Sequence, residues 1–382
     1  MLKTKKSAYT KKEIEGQPKL WQLVYNLILA EEQGIKDFLG PLFEQKDLEI
    51  ILTGAGSSAF VGEAAQGLVQ KNTGCLTRAI ATTDLVTHPE NFFPNNNKPV
   101  LLVSFARSGN SPESVEAVNL ANKFCSNIHH LVITCNKEGE LYKYSEANTK
   151  NALAVLLPEE ANDKSLAMTG SFTSMLLSVL LVCSRGSVVN FEHEVGKIIE
   201  QGDLILNSYE SLKELTHLDF DRVVFLGSGP MLGIARECHL KLQELTDGKV
   251  VCKHDSFLGF RHGPRAVTNE KTLVVYLFSG SEHVYRYERD LAVSIGADPR
   301  GIWSLSVGRK EDQEINANLN LDLQFEQDQQ FNIVPATIIG QVLGYYKSLQ
   351  LGLDPDNPSV SGTISRVVQG VTIYDYPENV NI

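Results

Sequence analysis

Three charged side chains, Glu237, Lys241 and Glu244, recur at i, i+4 and i+7 along Glu237-Cys-His-Leu-Lys241-Leu-Gln-Glu244. On a helix this spacing sets a carboxylate, an ammonium and a second carboxylate on one face. Leu240, Leu242 and Leu245 mark the core side. On an arbitrary helix such a stripe reads as a solvated array of ion pairs. Two features here point to acid–base chemistry instead. The helix opens from a glycine turn, and Lys253-His254-Asp255-Ser256 and Arg261-His262-Gly263-Pro264 lie between Glu244 and residue 265. Carboxylates and imidazoles are the groups that exchange protons near neutral pH. His254-Asp255 reads equally as a second acid–base pair or as a hydrogen-bonded turn.

Anion-binding chemistry lies earlier in the chain. Leu48-Glu-Ile-Ile-Leu-Thr-Gly54-Ala-Gly56-Ser57-Ser58 runs an aliphatic strand into a G-x-G turn and a helix start. Phe105-Ala-Arg107-Ser108-Gly-Asn-Ser111-Pro112 follows another apolar strand, with Ser111 suited to cap a helix and Pro112 to begin it. Backbone N–H groups near Gly109, the hydroxyls of Ser108 and Ser111, and the planar fork of Arg107 match phosphate oxygens. Alone, each loop is an ordinary capped turn; two of them at neighbouring strand ends form a phosphate pocket. The glycine turn recurs as Asp221-Arg-Val-Val-Phe-Leu-Gly227-Ser228-Gly229-Pro230. A turn used twice implies a duplicated α/β module with a site where the halves meet.

Composition bounds the answer. The 382 residues are 42% hydrophobic with a formal charge of −11, enough for two cores and without a basic field for nucleic acid or anionic lipid. The six cysteines form no C-x-x-C pair, which reads as reduced thiols in the cytoplasm. The basic Met1-Leu-Lys-Thr-Lys-Lys start precedes no apolar stretch, and the longest apolar run, Met175 to Cys183, is too short for a membrane span. A soluble cytoplasmic protein is expected. The histidine spacing suggests no metal site.

These groups need rigid elements behind them. Residues 1–47 read as a helical arm ending at Gly40-Pro41. Residues 48–190 alternate strand and helix: strands at 50–53, 100–104, 130–134 and 152–156, helices at 58–71 and 112–125, and a long helix over 165–183. A helical connection follows over 191–220. From 221 to 382 the pattern restarts, with strands at 223–226, 272–278 and 303–307, helices at 230–246, 283–294 and 333–351, and an irregular tail after Asp354. Alternation with short connections predicts an α/β fold of two tandem doubly wound parallel sheets.

The serine loops resemble those of the sugar isomerase (SIS) domain, and the two-module layout is similar to the isomerase half of glucosamine-6-phosphate synthase. Phe260-Arg-His-Gly-Pro264 adds a more specific match, and the resemblance is greatest to the bacterial galactosamine-6-phosphate deaminase/isomerase family, formerly called tagatose-6-phosphate ketose/aldose isomerase. It covers about residues 48 to 375. It implies a sugar phosphate as ligand, with Ser57, Ser58, Arg107, Ser108 and Ser111 around the phosphate and Ala167, Met168 and Thr169 on the sugar. Glu244 becomes the C1/C2 proton shuttle, His262 the ring-opening group, Lys241 the charge balance and Glu237 its orienting partner. The choice between His262 and His254 for ring opening stays open. The synthase relatives borrow this histidine from a neighbouring subunit, which implies a homodimer or larger homo-oligomer with shared sites. No metal or nucleotide cofactor is implied.

One departure bears on the reaction. Where the synthase carries a C-terminal lysine, this chain reads Ile364-Ser-Arg366-Val-Val-Gln369, with Arg366 or Gln369 in its place. That disfavours amide transfer and suits ammonia release from galactosamine 6-phosphate. The alternatives are a plain aldose–ketose isomerase on a hexose 6-phosphate and a non-catalytic phosphosugar sensor. The sensor would need the serine loops but not the carboxylate and histidine.

Overall fold

A computed structural model describes residues 8–93, 97–327, 329–368 and 370–377. The elements run α1 (Thr10–Glu15), α2 (Gln17–Phe43), β1 (Glu49–Thr53), α3 (Ser57–Thr73), β2 (Leu76–Ala79), α4 (Thr82–Thr87), α5 (Pro89–Phe92), β3 (Val100–Ala106), α6 (Pro112–Phe124), β4 (Ile128–Thr134), α7 (Glu140–Ala147), β5 (Ala152–Leu156) and α8 (Gly170–Val182). Then come α9 (Glu192–Asn207), α10 (Tyr209–Thr216), β6 (Arg222–Gly227), α11 (Pro230–Leu245), β7 (Val251–Asp255), α12 (Phe257–Phe260), β8 (Thr272–Leu277), α13 (Glu282–Gly296), β9 (Trp303–Val307), β10 (Leu319–Leu321) and α14 (Ile333–Gln350).

The chain divides into two units. One gathers the chain up to Gln22, Asp163–Thr173 and Glu192–Ile364; the other gathers Leu23–Asn162, Ser174–Phe191 and the chain from Ser365. Each holds one five-stranded sheet, paired in parallel throughout. The expected tandem doubly wound α/β architecture is what the chain forms. The first sheet runs β2-β1-β3-β4-β5 and the second runs β7-β6-β8-β9-β10, so the two are wound identically. In both, the chain reverses its direction of growth between the second and third strands of that order. Open sheets of this kind bind ligands at that reversal, beyond the carboxyl ends of the strands.

The central strands are buried on both faces, as parallel sheets covered by helices must be. All of β3 is buried, and so is β8. Their sequences, Val-Leu-Leu-Val-Ser-Phe-Ala and Thr-Leu-Val-Val-Tyr-Leu, are nearly continuous apolar runs. Of the four edge strands, β2, β7 and β10 differ. They are short and partly exposed, with Arg, Lys, His and Asn among their residues, so no apolar run announced them. At the other end of the prediction, Gly40-Pro41 does not stop α2, which continues to Phe43 with Pro41 inside. In its last turn the ring forfeits a single backbone hydrogen bond. No helix among the described residues is long and apolar enough to cross a membrane.

Candidate active site

In the first sheet, β1 and β3 are paired, with Thr53 opposite Ser104. The loops that follow them therefore flank the reversal point. Gly54 is required there because a Cβ would lie 2.6 Å from Ser58 backbone and side-chain atoms. Gly56 has φ +57°, a conformation glycine adopts without strain, and it ends the turn just before α3. Ser57 and Ser58 are both buried in the first turn of α3, where N–H groups lack helical partners. The Thr53 and Ser104 hydroxyls are buried without a hydrogen-bond partner. Sequence reasoning passed over this pair; a hydroxyl near the carboxyl end of each of two adjacent apolar strands was the available signal.

The second loop begins at Arg107, which is buried and donates an Nη2 hydrogen bond to the Arg366 carbonyl oxygen. The Arg366 guanidinium donates in turn to Asn162 Oδ1 at 2.8 Å. Ser108 is half-buried; its hydroxyl accepts from the Asn110 N–H at 3.3 Å and its carbonyl from Asn136 Nδ2 at 2.7 Å. Gly109 has φ +68° and runs against the Gly139 backbone. Ser111 caps α6 as expected: its Oγ accepts from the Ser114 N–H at 3.3 Å and donates to Ser114 Oγ at 2.6 Å. That hydroxyl is spent on its own helix. Gln369 lies outside the described residues.

In the unit of the second sheet, the glycine turn is repeated closely. Gly229 has φ +55° and ψ −125°, against +57° and −129° at Gly56. From it starts α11, which packs on β6, β7 and α14. Here the structure departs from a solvated stripe. Glu237 and Lys241 are 0% and 1% exposed, while the Glu244 side chain keeps 23% of its surface. Lys241 Nζ lies 2.5 Å from Glu244 Oε2 and 3.5 Å from Glu237 Oε1. A buried ammonium persists only where carboxylates compensate its lost hydration. Of the triad's two carboxyls, Glu244 is the one with access to the surface.

His262 is exposed beyond α12; its N–H donates to the Gly259 carbonyl at 3.0 Å, and its ring joins none of the hydrogen bonds or ion pairs of the triad. His254, on β7, lies with its ring 4.6 Å from that of His239. Burial, with His239, Arg236 and Lys253 nearby, pushes His254 down to about 4. Burial also lowers His239, whose Nδ1 faces the Arg236 carbonyl at 2.5 Å. Burial thus favours the neutral form of both rings. Asp255 accepts from the Ser256 N–H at 2.9 Å, so Asp255 serves a turn and not His254.

The stretch expected to meet the sugar is anchored by a residue not singled out beforehand. Asp163, 1% exposed, accepts from the N–H groups of Thr169, Gly170 and Ser171 at 2.8, 3.0 and 3.0 Å. It also takes the Thr169 and Ser171 hydroxyls at 2.8 and 2.5 Å. These bonds fill the first turn of α8, so the helix starts at Gly170 and residues 165–169 form a loop. Ala167 and Thr169 are buried and Met168 is half-buried. The Thr169 hydroxyl proton belongs to Asp163.

Against known proteins, the model described as the SIS domain matches residues 42–185. D-galactosamine-6-phosphate deaminase AgaS of Escherichia coli O157:H7 is 38% identical over 375 residues, 96% of either chain. The solved structure of tagatose-6-phosphate ketose/aldose isomerase from Escherichia coli is 35% identical, with a TM-score of 0.86 over 96% of this chain and 97% of that one. A Clostridium novyi NT structure is 39% identical, with a TM-score of 0.93 over 98% and 97%.

Proposed function

Because the chain belongs to the D-galactosamine-6-phosphate deaminase family of SIS-domain proteins, we propose that it converts D-galactosamine 6-phosphate and water to D-tagatose 6-phosphate and ammonia. The observation that carries the chemistry is the burial of Lys241 between Glu237 and Glu244, with only Glu244 reaching the surface. In the open-chain sugar, the Glu244 carboxylate takes the proton from C2, giving an enolamine, and returns it to C1. The resulting C2 ketimine adds water and expels ammonia, leaving the ketone. A single carboxylate serves both carbons because they are adjacent. Lys241 stabilises the charge developing on the enolamine, and Glu237 holds the ammonium in place.

The reading assigns the phosphate to Ser57, Ser58, Arg107 and Ser108, with Ser111 acting through the start of α6, and the sugar to Ala167, Met168 and Thr169. Ring opening goes to His262 in a homodimer that lends this residue to the partner's site. Its exposure, apart from the Glu244 cluster, supports that. The six cysteines, none of them in a disulfide, support a cytoplasmic location.

The test is ammonium release by the purified protein, with galactosamine 6-phosphate against glucosamine 6-phosphate. Release from the galactosamine substrate is expected; ketose formation without ammonium, or neither product, overturns the deaminase reading. Glu244→Gln should lower turnover by roughly 100-fold or more while calorimetry still detects phosphosugar binding. Mixing Glu244→Gln with His262→Asn protein should restore activity that neither has alone.

A further inference from the structure

We infer that Glu288 is a positioning residue for the proton-transfer helix: its carboxyl fills the anion cradle at the reversal point of the second sheet and so holds the turn from which α11 starts. The inference rests on the proposed role of α11. It begins from the identical winding of the two sheets. In the first sheet the loops after β1 and β3 carry the serines assigned to phosphate. Their counterparts in the second are Gly227-Ser228-Gly229 after β6 and Ser279-Gly280-Ser281 after β8, brought together by the pairing of Gly227 with Leu277.

In this second cradle the protein supplies the acid itself. Glu288 projects from α13 and is 0% exposed. Its Oε2 accepts from the Ser279 N–H at 2.8 Å, and its Oε1 is buried with no hydrogen-bond partner. The Ser228 hydroxyl faces the same carboxyl. Arg309 and the Glu326 backbone border the cradle. Arg309 donates to the carbonyls of Ser279 and Gly280 at 2.9 and 2.8 Å, and a Cβ on Gly280 would lie 2.2 Å from the Glu326 carbonyl. The Glu288 carboxyl already takes the Ser279 N–H that an external anion would need, so the cradle serves the fold of this module.

The placement matters because the Ser228 turn sets the first turn of α11. Met231 and Leu232 donate back to the Ser228 and Gly229 carbonyls at 3.1 and 3.0 Å. The groups facing Glu288 are Ser228 after β6, Ser279 after β8 and the Arg309 guanidinium after β9; Arg309 also pairs with Glu282 of α13 at 3.0 Å. Burial pushes the carboxyl up to about 7, against the pull of these donors. An ionised carboxyl accepts both donors fully and suits a helix N-terminus. Turnover should therefore rise with pH through this range.

The test compares Glu288→Gln and Glu288→Ala with the wild type. Glutamine still accepts from the Ser279 N–H but does not titrate, so kcat should lose its limb near pH 7 while KM stays unchanged. Alanine should lower kcat roughly tenfold with KM moved less than threefold. Amide exchange at Met231 and Leu232 needs no substrate: it should speed up in the alanine variant and stay near wild type in the glutamine variant. A limb kept by Glu288→Gln, or unchanged exchange in Glu288→Ala, overturns the inference. A wild type that releases no ammonium would instead count against the proposed function, and leaves the exchange test standing.

Discussion

Gly340 of α14 lies so close to Cys238 of α11 that a Cβ on the glycine would stand 2.4 Å from the Cys238 Cα. One turn later, a Cβ on Gly344 would be 3.1 Å from the Lys241 carbonyl. This approach is what covers Glu237 and Lys241. Gly340→Ala should push the helices apart and cost about 1–3 kcal/mol, read from urea unfolding. Turnover should fall with it, because the lysine would gain water. A variant with full stability and full kcat would contradict this account.

Lys241 and Glu237 should behave as a unit. Lys241→Met strands the Glu237 carboxylate in the core, with an expected loss of about 3–5 kcal/mol. Adding Glu237→Gln removes that charge and should recover most of the stability without recovering turnover. A double variant no more stable than the single one would show that the charge was not the problem.

Asp163 predicts a different signature. Asp163→Asn replaces one accepting oxygen by a donor that faces the N–H groups of the α8 first turn. The expected cost is about 3 kcal/mol. KM should rise, since Met168 sits on the loop those bonds hold. Thermal unfolding and steady-state kinetics together check both parts.

Buried titrating groups give the stability its pH dependence. His130, fully buried on β4, is pushed down to about 4 by burial and by its neighbour His129. A histidine depressed in the folded state favours folding above its unfolded value and loses that contribution as pH falls from about 6.5 toward 4. Glu288, raised in the folded state, behaves oppositely: its contribution is complete below about 4.5 and is lost as pH rises through 7. Urea unfolding should show Glu288→Gln gaining about 2 kcal/mol relative to wild type between pH 5 and pH 8. His130→Gln should gain a similar amount between pH 7 and pH 5. Parallel stability curves for either variant and the wild type would refute that assignment.

Much of the scaffold was legible. The interior strands β3, β4 and β8 are apolar runs because both their faces are covered, and Ser111-Pro112 declares the start of α6. The stripe Glu237, Lys241 and Glu244 was legible as a shared face. Its burial was not, because the covering glycines lie about a hundred residues further on, in α14. Asp163 escaped notice because it caps a helix from seven residues upstream, outside the usual cap position. Glu288 did leave a trace. It takes the inward position in the series 288, 291, 292 and 295 of α13, whose other members, Leu291, Ala292 and Ile295, are all buried apolar residues.

Arg366 and Tyr376, late in the chain, are stitched into the unit of the first sheet. Tyr376 donates to Glu90 at 3.0 Å and sets its ring 5.3 Å from Phe124, while the Arg366 backbone receives Arg107. During synthesis, then, the module whose strands are made first receives its last segment only after every strand of its sibling. The two are interlaced along the polypeptide, so no single proteolytic cut can release either of them whole.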